Sequence, residues 1–98
     1  MRKVIISTLV TNKLSDLKSY LKNDLKLSQE TAYAYNDRML IFIDSLANPA
    51  DYALCRFKRW RVLGYRCVVF EKNWVFAYEV VPQGVIVRDM SHVSVLAD

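Results

Sequence analysis

Histidine, glycine, proline and cysteine are all scarce in this chain: one His, two Gly, two Pro and two Cys in 98 residues. So few Gly and Pro leave little room for long flexible loops. Two cysteines are too few for a disulfide framework, and Cys55 and Cys67 lack the spacing of a metal site. Cys67 stands in an apolar run and is expected as a buried free thiol. No apolar run approaches the roughly 20 residues that span a bilayer, so no membrane partner is expected. The start, Met1-Arg2-Lys3-Val4-Ile5-Ile6-Ser7, has a signal-like charge order, but its apolar stretch is very short and no small-residue cleavage site follows. It is expected to be a strand of a cytoplasmic protein. There is no internal repeat and no low-complexity tract.

What the chain does have is apolar content and positive charge. Hydrophobic residues make up 53% of it, enough for one globular domain spanning residues 1–98. The net charge of +4 favours polyanionic or acidic partners without naming one.

Three β-rich runs dominate the C-terminal third. They cover residues 64–70, 74–81 and 84–92, separated by Glu71-Lys72-Asn73 and by Pro82-Gln83-Gly84. Val, Ile, Phe, Tyr and Trp bounded by Asn, Pro and Gly are strand and hairpin signals, and the short connections predict an antiparallel meander. Trp74, Phe76 and Tyr78 alternate and are expected to face the core. Arg66 and Arg88 interrupt otherwise apolar strands, and His92 follows the last of them.

The N-terminal half reads as one strand and two helices. Val4 to Val10 is mostly β-branched and predicts a strand. Leu14, Leu17, Leu21 and Leu25 form an apolar stripe that predicts a helix over 15–25, with Ser15 as N-cap and Asp16 in its first turn. Lys13, Lys18, Lys22 and Lys26 share another face, which reads as solvated or as a basic rim beside a site. After the break at Leu27-Ser28, Ser28 caps a second helix to about Leu46, buried through Ala32, Tyr35, Met39, Phe42, Ile43 and Leu46; Asn48-Pro49 ends it. Each helix is too weakly apolar to stand alone. The expected fold is therefore α+β, a small twisted antiparallel sheet with an N-terminal strand and a helical hairpin packed on one face. Residues 51–63, with four cations and two aromatics in Arg56-Phe57-Lys58-Arg59-Trp60-Arg61, give no clean strand face and predict an irregular or helical connection.

In order along the chain, Asp16-Leu17 and Tyr20-Leu21, the helix ending in Leu46-Ala47-Asn48-Pro49, Tyr52, Gly64-Tyr65-Arg66, the run Asn73 to Val80, then Val85-Ile86-Val87-Arg88 and a later histidine resemble the RelE/ParE toxins of bacterial type II toxin–antitoxin (plasmid stabilisation) systems. The resemblance spans nearly the whole chain and rests on the ordered set. It implies a small basic toxin in a hetero-oligomer with a cognate antitoxin. The activity it implies first is that of the RelE-like branch, ribosome-dependent cleavage of mRNA; the alternative is that of the ParE-like branch, which inhibits DNA gyrase without catalysis. An inactivated toxin kept as a binding module is a third possibility.

For the RelE-like branch, cleavage without metal or cofactor needs a base, a cationic phosphate clamp and an acid. The resemblance implies Arg66 and Arg88 as the clamp, since the guanidinium fork matches phosphate oxygens, and His92 as the general acid. Glu79 is the candidate base, with Asp89 as runner-up or as the group orienting His92. Lys58, Arg59 and Arg61, with Trp60 for stacking, are the implied RNA-binding set. A plainer role for the two strand arginines is ion pairing across the sheet, worth about 0–1 kcal/mol per pair.

Overall fold

The computed structural model describes residues 2–23 and 28–96. The chain runs β1 (Lys3–Ile6), α1 (Thr8–Asn23), α2 (Gln29–Asp44), a 3₁₀ turn at Ser45–Ala47, a one-turn helix α3 (Lys58–Arg61), β2 (Arg66–Phe70), β3 (Trp74–Val81), β4 (Gly84–His92) and a 3₁₀ turn at Val93–Val95. The architecture is α+β: four strands in the order β1-β4-β3-β2 with two long helices on one face. β2, β3 and β4 form the antiparallel meander, and β1 joins the far side of β4 in parallel, Lys3 opposite Gly84 through Ile6 opposite Val87. A parallel pairing requires a crossover, and the helical hairpin supplies it.

The first strand is shorter than the β-branched run predicts, and the first helix begins seven residues earlier. Ser7 decides this. Its Oγ accepts from the backbone N–H of Val10 (3.3 Å), its carbonyl accepts from Thr11 (3.0 Å), and its Oγ donates to the carbonyl of Arg88 (3.2 Å). An N-cap at Ser7 turns Val10 into helix, where Val10 and Leu14 lie one turn apart and are buried. Ser15 is therefore mid-helix rather than a cap, and Asp16 is not in the first turn. Leu25, Lys26 and Leu27 lie outside the described residues. α2 follows expectation: Ser28 Oγ accepts from the N–H of Thr31, and Ala32, Met39, Ile43 and Leu46 are buried.

The sheet carries a core on each face. On the helix side, Val10, Leu14, Met39, Ile43 and Leu46 meet Val68, Phe70, Phe76, Tyr78, Val85, Val87 and Met90. Burying a side chain of this kind contributes roughly 1.5–3 kcal/mol, which is what holds two weakly amphipathic helices in place. The switch from odd to even positions in β4, from Val85 and Val87 to Met90, comes from a β-bulge. Tyr78 pairs with Val87 and Ala77 with Asp89, so Arg88 has no opposite residue.

On the outer face, Val75 and Ala77 pack against Cys55 and Trp60, with Phe57, Tyr65, Cys67, Val93 and Leu96 around them. Cys55 and Cys67 are joined by a disulfide, Cα to Cα 4.8 Å, so Cys67 is not a free thiol. Spacing of 12 in the sequence does not reveal the bond. It forms because Ala53–Cys55 runs antiparallel along the start of β2, with Cys55 N–H donating to Tyr65 O at 2.9 Å and Cys67 N–H to Ala53 O at 3.3 Å. Among the described residues, no helix is long and apolar enough to cross a membrane.

Candidate functional site

The last strand outruns its neighbour. β1 ends opposite Val87, which leaves the edge of β4 from Arg88 onward without a strand partner. α1 closes that edge with side chains: Ser7 Oγ donates to Arg88 O, and Lys13 Nζ donates to Met90 O (3.0 Å) and pairs with Asp89 Oδ1 (2.6 Å). Buried backbone carbonyls need such donors. Between α1 and this end of the sheet lies a cleft of about 560 Å³ whose lining includes Lys13, Asp16, Leu17, Tyr20, Trp74, Met90 and His92.

His92 lines the cleft and stands opposite Trp74 in the register, its ring edge-on to the indole at 5.3 Å and 86°. Nδ1 accepts from the backbone N–H of Ser94 (3.2 Å) and lies 2.8 Å from Ser94 Oγ. With Nδ1 accepting, the neutral ring carries its proton on Nε2, and no described side chain takes that donor. Ser94, not Asp89, orients His92. Asp89 instead bridges the two layers: it holds Lys13 from α1 through Oδ1 and accepts from the indole N–H of Trp60 through Oδ2 at 3.3 Å. Neither role is that of a general base.

Arg66 is at the other end. It opposes Tyr78, and its parity is that of Val68 and Phe70, which point to the helices. Nη1 donates to the carbonyl of Tyr52 at 2.7 Å. It belongs to a knot that closes this end of the sheet. Arg2 pairs with Asp51 (2.6 Å), and the buried Tyr78 hydroxyl accepts from the N–H of Tyr52 (2.9 Å). The hydrogen bond from Arg2, with the charge of Arg66 adding to it, holds the Asp51 carboxyl below its ordinary range. Burial pushes the Tyr78 phenol up.

Arg88, unpaired in the bulge, reaches across the β3–β4 pair to Glu79, whose register partner is Ile86. Nε and Nη2 of Arg88 donate to Glu79 Oε1 at 3.0 and 2.7 Å. Glu79 alternates with Val75 and Ala77, which places this ion pair on the outer face of the sheet. The candidate phosphate ligand and the candidate base therefore neutralise each other.

The expected catalytic set does not converge. Arg66 and His92 are two strands apart and four residues apart along β3, on the order of 15 Å between backbones at about 3.3 Å per residue and 4.8 Å per strand. Arg88 is on the opposite face. No single phosphate can reach all three. Sequence reasoning sets Lys13 in a basic rim but ties none of the helix residues of this cleft to His92: Lys13, Asp16 and Tyr20 sit at helical spacing i, i+3, i+7 on one face of α1, and that periodicity was the available signal.

The expected RNA-binding residues lie elsewhere again, on α3 over the outer face. Trp60 is 3% exposed, packed in the outer core and edge-on to Phe57, with Arg59 Cζ 5.1 Å from its ring. A buried indole offers no face to a base, so Trp60 is not a stacking surface. Lys58, Arg59 and Arg61 are exposed around it. Among the described residues, no three His, Cys, Asp or Glu side chains gather as metal ligands do. No family model matches the chain, and comparison with curated proteins and with solved structures returns no match either.

Proposed function

We propose that the protein is a toxin-type module of the RelE/ParE kind that acts by binding, as a ParE-like inhibitor of DNA gyrase held in check by a cognate antitoxin, and not as an mRNA-cleaving enzyme. One observation carries the choice between the two branches: Arg66, Arg88 and His92 lie at two ends and on two faces of the sheet, with Arg88 already paired to Glu79. General acid–base cleavage needs its groups within hydrogen-bond reach of one phosphate, whereas target binding needs only a surface. A gyrase inhibitor works in the cytoplasm, where stable disulfides are uncommon, so the oxidised and the reduced protein are to be assayed side by side.

The test is a supercoiling assay with purified gyrase and relaxed plasmid, run beside a reconstituted translation reaction in which mRNA 5′ ends are mapped. The expected result is loss of supercoiling with intact mRNA, unchanged by His92→Ala. New mRNA ends within codons in translating reactions, abolished by His92→Ala or Arg66→Ala, would sink this reading and restore the ribonuclease.

A further inference from the structure

The disulfide closes a ring from Cys55 to Cys67 whose content is unlike the rest of the chain. It contains five cations, Arg56, Lys58, Arg59, Arg61 and Arg66, and no carboxylate. The whole chain has 14 cations and 10 carboxylates. Outside the ring, nine cations thus face ten carboxylates, and the net positive charge of the protein resides in this one loop. A charge asymmetry of that size points to an anionic surface as partner.

The apolar residues of the ring divide in two. Phe57 and Trp60 turn inward to the outer core, and the guanidinium groups of Arg56 and Arg59 lie over their rings at 5.2 and 5.1 Å. Val62 and Leu63 turn outward, 73% and 57% exposed, at the tip where Gly64 reverses the chain at φ +76°. Tyr52 and Leu54, beside the ring, are 47% and 54% exposed. Val62 and Leu63 thus form a pair of neighbouring exposed aliphatics beside exposed cations.

A nucleic acid would use the cations, but its bases stack on aromatic faces; Phe57 and Trp60 turn inward, which leaves Tyr52 beside the loop as the exposed ring and two aliphatics at the tip. Aliphatic side chains suit hydrocarbon, and arginines suit lipid phosphate. That is the composition of an interfacial membrane contact, with apolar residues at the acyl boundary and Arg or Lys at the headgroups.

We propose that the disulfide-closed loop 55–67 is a docking surface for anionic lipid bilayers, with Val62 and Leu63 entering the headgroup boundary and Arg56, Arg59 and Arg61 contacting lipid phosphates. The contact is peripheral, one loop deep, and does not depend on which macromolecule the rest of the protein binds. The disulfide holds the loop in the shape that keeps Phe57 and Trp60 inward and the tip outward.

The experiment is cosedimentation of the oxidised full-length protein with phosphatidylcholine vesicles, with and without phosphatidylserine. Binding is expected only with phosphatidylserine present, and added salt should weaken it. Arg59→Gln with Arg61→Gln is expected to lower the partition coefficient roughly 20–30-fold, at about fivefold for each cation near the surface. Val62→Ser with Leu63→Ser should lower it severalfold while leaving the charge intact. Both pairs are exposed, and an unchanged far-ultraviolet circular dichroism spectrum and urea midpoint verify the fold. Equal binding to neutral vesicles, or none to anionic ones, overturns the proposal. So does vesicle binding that Val62→Ser with Leu63→Ser leaves unchanged while a single-stranded RNA oligonucleotide displaces the vesicles, which would make the loop a nucleic-acid surface.

Discussion

Replacing Gly84 by alanine tests the least obvious feature of the fold, the parallel docking of β1. Gly84 has φ +151°, and a Cβ there would stand 2.0 Å from the carbonyl oxygen of Lys3, 2.8 Å from its nitrogen and 2.9 Å from its carbonyl carbon. All three contacts are backbone, so no rotamer change relieves them. Carbon–oxygen contacts close only to about 3.3 Å even in favourable geometry, so β1 must retreat by more than 1 Å. That displacement disturbs the hydrogen bond from Lys3 N–H to Gln83 O and the pairing of Lys3 to Ile6 with Gly84 to Val87. Losing two or three ladder bonds costs about 1–4 kcal/mol, and the backbone strain costs about 1–3 kcal/mol. A net loss of about 3–5 kcal/mol is expected, a large share of the roughly 5–15 kcal/mol that stabilises a domain of this size. Urea unfolding followed by circular dichroism measures it. With a slope of about 1–3 kcal/mol per molar for a small domain, the midpoint should fall by about 1 M or more. Gly64→Ala is the control. Gly64 also has positive φ, but nothing lies within 4 Å of its Cβ position, so only strain of about 1 kcal/mol is expected. If Gly84→Ala is no worse than Gly64→Ala, β1 does not pack on β4 as described.

Three further outcomes follow from the same geometry. Reducing the disulfide, or Cys55→Ala with Cys67→Ala, should cost about 2–3 kcal/mol from loop closure alone, read as a lower urea midpoint; an unchanged midpoint would mean the bond is absent in solution. Lys72 holds φ +67° in the β2–β3 turn, so Lys72→Gly is expected to stabilise by about 0.5–1 kcal/mol, and a destabilised variant would show that the turn is built otherwise. The carboxyl of Asp51 is depressed from 3.8, first by the hydrogen bond from Arg2; its contribution is complete above that value and is lost as pH falls through the folded one. Arg2→Gln should remove that acid-side loss, so that the stability gap between variant and wild type narrows as pH drops below 3.8, whereas a pH-independent gap would show that Arg2 acts through packing alone.

The candidate catalytic residues are marked in the sequence only by their types and their order, and order carries no information about convergence. Arg66 and His92 both sit on strands of the meander, as the sequence implies. Their positions at opposite ends follow from the register, Arg66 on Tyr78 and His92 on Trp74. The side of the sheet to which Arg88 belongs was set by the bulge, and an unpaired residue leaves no mark in hydrophobic alternation. Lys13 and Tyr20 line the same cleft as His92 because α1 is capped at Ser7, and β-branched residues at 4–10 concealed that start.

Local chemistry determined the elements whose signals are internal. Ser28 capped α2, the 3.6-residue stripe from Ala32 to Leu46 chose its buried face, and period-two alternation at Trp74, Phe76 and Tyr78 turned β3 toward the helices. The cationic, acid-free character of 55–67 was also plain in the sequence. Tertiary structure alone decided the pairing of β1 with β4, the bond between Cys55 and Cys67 and the burial of Trp60. Each of these depends on segments far apart in the chain meeting on one sheet. A pattern read along the chain reports which faces must be covered, but it does not report which segment covers them.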